Sequence, residues 1–70
     1  MAFYSYDMLR TFQVVAANLS MTAAASQLNQ SKGSVSYQIK TLETHLGFAL
    51  FERTNARLQL TPEGQRLVRV

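Results

Sequence analysis

Seventy residues with 47% apolar side chains set the scale of one small domain, too short for two cores and too apolar for a disordered chain. Seven Lys/Arg against four Asp/Glu give a formal charge of +3, a mild surplus that favours phosphate-rich partners without deciding the matter. No cysteine is present, which excludes disulfide staples and thiolate metal sites, so packed helices or a partner subunit must hold the fold.

The first expected element is a helix from about Tyr6 to Asn18. Met8, Leu9, Phe12, Val15, Ala16 and Leu19 recur in the i, i+3, i+4, i+7 manner of an amphipathic helix. Ser5 serves as its N-cap, Asp7 suits the positive end of the helix dipole, and its task is core formation. The run from Thr11 to Ser31 is uncharged over 21 residues, long enough to span a bilayer, yet ten of them are Ser, Thr, Asn or Gln, too polar to insert. The N-terminus lacks a basic flank followed by an apolar run, so no secretory signal is expected. The expectation is a soluble, cytoplasmic protein with no membrane partner.

A shorter second helix follows, capped by Ser20 or Thr22 and carrying Ala23, Ala24, Ala25 and Leu28. Its small residues allow a neighbouring helix close. Asn29 and Gln30 interrupt the spacing, and Ser31 then caps a third helix expected over about Lys32 to Leu46. Val35, Ile39, Leu42 and Leu46 fall on one narrow stripe of it, while Gly33, Tyr37, Lys40 and Thr44 point the other way. Gly47 stands where a left-handed C-cap belongs. His45, the single histidine, is expected in a capping or dipole role near that end.

Beyond Gly47 the period changes. Leu50, Phe51, Leu58 and Leu60 flank the polar segment from Glu52 to Arg57, and Asn55-Ala56 makes a turn, so a small hairpin is expected. Phe48, Leu50 and Phe51 are expected to close the core. Thr61-Pro62-Glu63 is a fresh helix start, with Thr as cap and Pro in the first position, barely begun before Val70. No internal repeat, low-complexity tract or second domain is visible.

The resulting fold class is mainly α with a small β-hairpin: a winged helix-turn-helix followed by the start of one more helix. The third helix can enter a DNA major groove and offer its N-terminal side chains to base edges. Its outward face carries Lys32, Ser34, Ser36, Tyr37, Gln38, Lys40 and Thr41, with Glu43 the one acid on the helix and placed after them. Gln38 lies nearer the core side, where a structural hydrogen bond competes with a DNA contact. Lys32, Lys40, Arg53 and Arg57 concentrate the positive charge in the middle of the chain.

The motifs then become specific. Thr22-Ala23-Ala24-Ala25-Ser26-Gln27-Leu28-Asn29, Ser31, Val35-Ser36, Gln38-Ile39, Leu42-Glu43, Leu46-Gly47, Leu50-Phe51-Glu52-Arg53 and Leu60-Thr61-Pro62-Glu63-Gly64 together resemble the N-terminal domain of LysR-type transcriptional regulators. The resemblance runs from about Leu9 to Leu67 and rests on order and spacing rather than on any one motif. It implies a winged helix-turn-helix over residues 1–61 and a linker helix beginning at 62, truncated at 70. It also implies a homodimer through paired linker helices on a pseudo-palindromic double-stranded operator, and a following effector domain that this chain lacks. Dimerisation is expected to be weak with most of the linker helix missing.

By the same resemblance, Ser31, Lys32, Ser34, Ser36, Tyr37 and Lys40 occupy the face that meets bases and phosphates, Thr22 contacts a phosphate, and Arg53 and Arg57 lie on the wing. Family members commonly have Gln in place of Lys32, and Arg or His in place of Tyr37. Lys still suits guanine acceptors or phosphate, and Tyr donates a hydrogen bond or packs on a thymine methyl. These departures bear on which operator is read and leave DNA binding itself intact.

Catalysis has no support in the sequence: one His, no Cys, no paired carboxylates, no Gly-rich phosphate loop and no nucleophile elbow, so neither an enzyme nor a cofactor is expected. A protein-binding winged helix would show an apolar patch where this chain places Ser, Thr, Tyr and Lys. A winged-helix repressor of another family would differ in needing no separate sensor domain.

Overall fold

The computed structural model describes residues 6–69, and over them the chain forms α1 (Tyr6–Asn18), α2 (Met21–Leu28), α3 (Lys32–Leu46), β1 (Phe51–Thr54), β2 (Arg57–Leu60) and α4 (Pro62–Val68). The expected cap Ser5 lies outside the described residues. Mainly α with one small hairpin is therefore the observed class, in the expected order.

Caps set the helix boundaries. Ser20 is the N-cap of α2: extended at φ −156°, it accepts the N–H of Ala23 on its Oγ at 3.1 Å. Of the two candidates, Ser20 wins and Thr22 falls inside the first turn. Asn29 ends α2 in the left-handed region at φ 58°, and the N–H of Gln30 reaches back to the Ala25 carbonyl at 2.9 Å. One residue later Ser31 begins α3, its Oγ accepting from Ser34 N–H at 3.0 Å. Gly47 closes α3 at φ 85°, its N–H donating to the Glu43 carbonyl at 2.8 Å.

The core lies between α1, α2, α3 and the root of the hairpin. It consists of Phe12, Val15, Ala24, Ala25, Val35, Ile39, Leu42, Leu50 and Phe51. Ala24 and Ala25 are the thin point that lets α2 sit close to its neighbours. The rings of Phe12 and Phe51 meet at 5.5 Å and 54°, a tilted pair that ties the hairpin to α1. Phe48 corrects one expectation. It is 40% exposed, because Leu50 and Phe51 already close the core and Phe48 is left on the outer side of the connection after Gly47.

The two strands are antiparallel, with Phe51 opposite Leu60, Glu52 opposite Gln59, Arg53 opposite Leu58 and Thr54 opposite Arg57. Asn55 and Ala56 form the turn with positive φ at both positions, 54° and 63°, the type I′ geometry that matches strand twist. Thr61 then caps α4 from both sides of its hydroxyl: Oγ1 accepts from Gly64 N–H at 3.0 Å and donates to the Ala49 carbonyl at 2.7 Å. Its N–H donates to the Leu50 carbonyl at 3.0 Å, so α4 starts from a joint on the hairpin's root. No helix among the described residues is long and apolar enough to cross a membrane.

Candidate nucleic-acid interface

Three elements converge on one surface. Lys32, Ser36 and Lys40 follow one another at intervals of four along the flank of α3 that faces the hairpin. Across a shallow cleft of about 240 Å³ from them stand Phe51, Glu52, Arg53 and Leu58. Strand pleating puts Arg53 on the hairpin face that also carries Phe51, Leu58 and Leu60, so it leans toward α3. Arg57 pairs with Thr54 on the opposite face, next to the turn.

A second, larger cleft of about 760 Å³ continues from the first, and Lys32 and Arg53 line both. Its remaining polar walls include Ser20 and Thr22 from the start of α2 and Arg57 from the hairpin. The start of α2 therefore borders a groove lined by three cations, Lys32, Arg53 and Arg57, a setting that attracts an anion. Four of the seven Lys/Arg of the chain surround these two clefts. Their acidic neighbours are Glu52, exposed on the hairpin, and Glu43, whose carboxylate is committed elsewhere.

That commitment is structural. Glu43 Oε2 accepts the N–H groups of Leu50 at 2.6 Å and Phe51 at 3.3 Å, holding the chain as it leaves α3 for the hairpin. No local pattern in the sequence announces this, since the acceptor and its donors are seven and eight residues apart and the chain reverses between them.

The other flank of α3 carries a different set. Gln38 receives the Thr11 hydroxyl on Oε1 at 2.7 Å and donates from Nε2 to Gln30 Oε1 at 2.7 Å. Ser34 Oγ donates to the same Gln30 oxygen at 3.2 Å and accepts from Gln38 Nε2 at 3.3 Å. Thr11 is only 1% exposed, so this network gives a buried hydroxyl its partner and gives Gln38 the structural hydrogen bond that was one of its two expected roles. Thr11 and Gln30 were not singled out by the sequence, because the network joins α1, α3 and the turn between α2 and α3.

The expected site residues thus divide. Thr22, Lys32, Ser36, Lys40, Arg53 and Arg57 are brought together around the clefts. Ser31 uses its hydroxyl as a cap, and Ser34 uses its own in the glutamine network. Tyr37 stands apart from both flanks, 70% exposed on the outermost line of α3. His45 occupies the last turn of α3, at the expected end of the helix.

Comparison with known proteins agrees with this geometry. Residues 6–65 match the family described as bacterial regulatory helix-turn-helix protein, lysR family. The chain is 51% identical over 57 residues to the glycine cleavage system transcriptional activator of Escherichia coli (strain K12), covering 81% of this chain and 19% of that protein. It is 47% identical over 62 residues to the HTH-type transcriptional activator AmpR of Pseudomonas aeruginosa, covering 89% and 21%. The chain therefore spans about a fifth of the length of these curated relatives. Among solved structures, a transcriptional regulator of the LysR family from Eggerthella lenta DSM 2243 superposes with a TM-score of 0.88 at 36% identity, covering 90% of each chain. The BenM_DBD/catB site 1 DNA complex gives 0.88 at 35% identity, covering 93% of this chain and 72% of that one. A match of this extent, over a helix-turn-helix with the same wing, settles the family: the chain belongs to the LysR family of bacterial regulatory helix-turn-helix proteins.

Proposed function

We propose that this chain is the operator-reading domain of a LysR-type transcriptional regulator and binds double-stranded DNA with sequence preference. The observation that carries the reading is the convergence of Lys32, Lys40, Arg53 and Arg57 around the clefts between α3 and the hairpin, from elements far apart in sequence. With α3 in the major groove, Ser36 and Tyr37 reach base edges, Lys32 and Lys40 meet bases or phosphates, and Thr22 with the start of α2 meets a phosphate. Arg53 and Arg57 on the wing engage the minor groove or flanking phosphates. Ser31 and Ser34 take part through the exposed start of α3, beyond the hydrogen bonds they make within the domain. The related BenM and CbnR domains are known as DNA complexes, which supports the same partner here.

In this reading residues 1–61 are the winged domain and 62–70 the first turns of a linker helix. Two copies joined through that helix would present two α3 helices to a pseudo-palindrome in the cytoplasm, as a binder rather than a catalyst. Selection from random duplexes, followed by anisotropy titration, tests it. Enrichment of a pseudo-palindrome with half-sites about one helical turn apart is the expected result. An unenriched pool, with binding gone by about 150 mM salt, would reduce the chain to nonspecific phosphate attraction and overturn the reading.

A further inference from the structure

Three helices give way to a residue in the left-handed region, and two of them use residue types suited to it. α2 ends on Asn29 at φ 58° and α3 on Gly47 at φ 85°. The residue after α1 is Leu19, at φ 50°, its N–H donating to the Val15 carbonyl at 2.7 Å. A leucine is strained there, because a left-handed backbone crowds Cβ against the carbonyl and a bulky side chain adds to the crowding. Packing in the core does not offset that strain. Leu19 is 45% exposed and is not among the apolar residues packed against the buried cluster.

Leu19 instead lines the cleft of about 760 Å³ between the α1–α2 junction and the hairpin. Ala16 and Met21 line it beside Leu19, and Leu58 and Leu60 line it from the hairpin, all four half-buried. Lys32, Arg53 and Arg57 border the same cleft and no acid does. None of these cations has an ion pair among the described residues. A DNA phosphate answers that charge but gains nothing from leucine and methionine side chains. Apolar walls with a few convergent polar groups, in a cleft of this volume, are the make-up of a small-ligand site. We propose that the cleft binds a small organic anion with a hydrocarbon body. The body lies on Leu19, Met21, Leu58 and Leu60, and the acid head meets Lys32, Arg53 or Arg57. Because Lys32 and Arg53 also belong to the DNA face proposed above, an occupied cleft competes with DNA. The competition rests on the DNA-binding reading; the site itself does not.

The probe is naphthalene-2-sulfonate, an acid head on a flat hydrocarbon, with inorganic sulfate as the head alone. Titrated into the isotope-labelled 70-residue chain at constant ionic strength, it should give saturable amide NMR shifts confined to Leu19–Thr22, Lys32 and Ala56–Leu60. A Kd of about 1 mM or tighter is expected for a ligand of this size, with sulfate at least about tenfold weaker. Leu19→Asn removes the apolar wall and installs a residue that accepts positive φ. Its melting temperature should hold or rise, while the probe binds about three- to tenfold more weakly. In anisotropy, the probe should weaken the parent's hold on the duplex it enriches from a random pool, and weaken that of Leu19→Asn less. Equal binding of sulfate and the probe would make the cleft a phosphate seat and overturn the proposal, as would undiminished probe binding by Leu19→Asn. The amide shifts decide the site even if no duplex is enriched, so failure of the DNA-binding reading is distinguishable from failure of this one.

Discussion

Glu43 and Leu50 are joined by a hydrogen bond of 2.6 Å from backbone N–H to carboxylate, and this bond fixes the hairpin to the end of α3. The same oxygen also receives the Phe51 N–H at 3.3 Å, so one side chain satisfies two donors where the chain turns into the strand. Glu43→Ala strands both donors, and equilibrium unfolding should record a loss of about 1.5–3 kcal/mol, the range for hydrogen bonds to a charged group. Glu43→Gln keeps an acceptor and should recover part of that loss. Equal stability for the Ala variant and the parent would show that the bond contributes nothing.

Gly64 is bare for packing reasons. A Cβ at this buried position would land on the Leu50 carbonyl oxygen and stand 3.0 Å from Leu60 Cδ2. Backbone cannot move aside as a side-chain tip can, so Gly64→Ala should destabilise by about 1–3 kcal/mol despite its better helix propensity. Denaturant titration decides the matter, since a stabilised variant would mean that α4 shifts freely.

Ala56 has the reverse character. It holds a φ of 63° in the hairpin turn, where a type I′ geometry favours glycine. Ala56→Gly should relieve the strain of a Cβ in the left-handed region and raise stability by about 0.5–1 kcal/mol after the entropy cost of the glycine. A lower melting temperature would contradict this account of the turn.

On DNA, charge and shape should separate. Arg53→Ala should weaken binding to every duplex alike and flatten the salt dependence by about one charge, because Arg53 leans over the cleft beside Lys32. Ser36→Ala and Tyr37→Ala should instead alter which sequence a random pool yields. With four to six cations engaged per dimer, the parent slope of log affinity against log salt should be about −4 to −5. Uniform losses on all sequences for all three variants would refute the division.

Helix limits were legible because caps are local. Ser31, Gly47 and Thr61 act within four residues of themselves, and each stands where side-chain chemistry alone would put it. Ser20 and Thr22 could not be ranked, as both are good caps two residues apart and the choice depends on where α1 releases the chain. The hairpin turn was equally legible from Asn55-Ala56. Beyond that range the signal fades. Nothing near Glu43 in the sequence points to its donors, Gln38 stays open between two roles, and Phe48 is expected in a core that Leu50 and Phe51 already fill. Each outcome depends on which distant segment arrives beside the residue. The site shows the same limit: its basic residues could be named from the sequence, but the meeting of Lys32 with Arg53 in a shared cleft belongs to the fold.

Leu50 engages both of its backbone polar groups across the joint, the N–H with Glu43 of α3 and the carbonyl with Thr61 at the head of α4. Ala49, which accepts from the Thr61 hydroxyl, and Phe51, which donates to Glu43, complete a joint held over three residues rather than along a pliable linker. In a dimer coupled through α4, this joint would act as a protractor: the distance between the two reading helices, and hence the operator spacing tolerated, would follow from residues 49–51 of each copy.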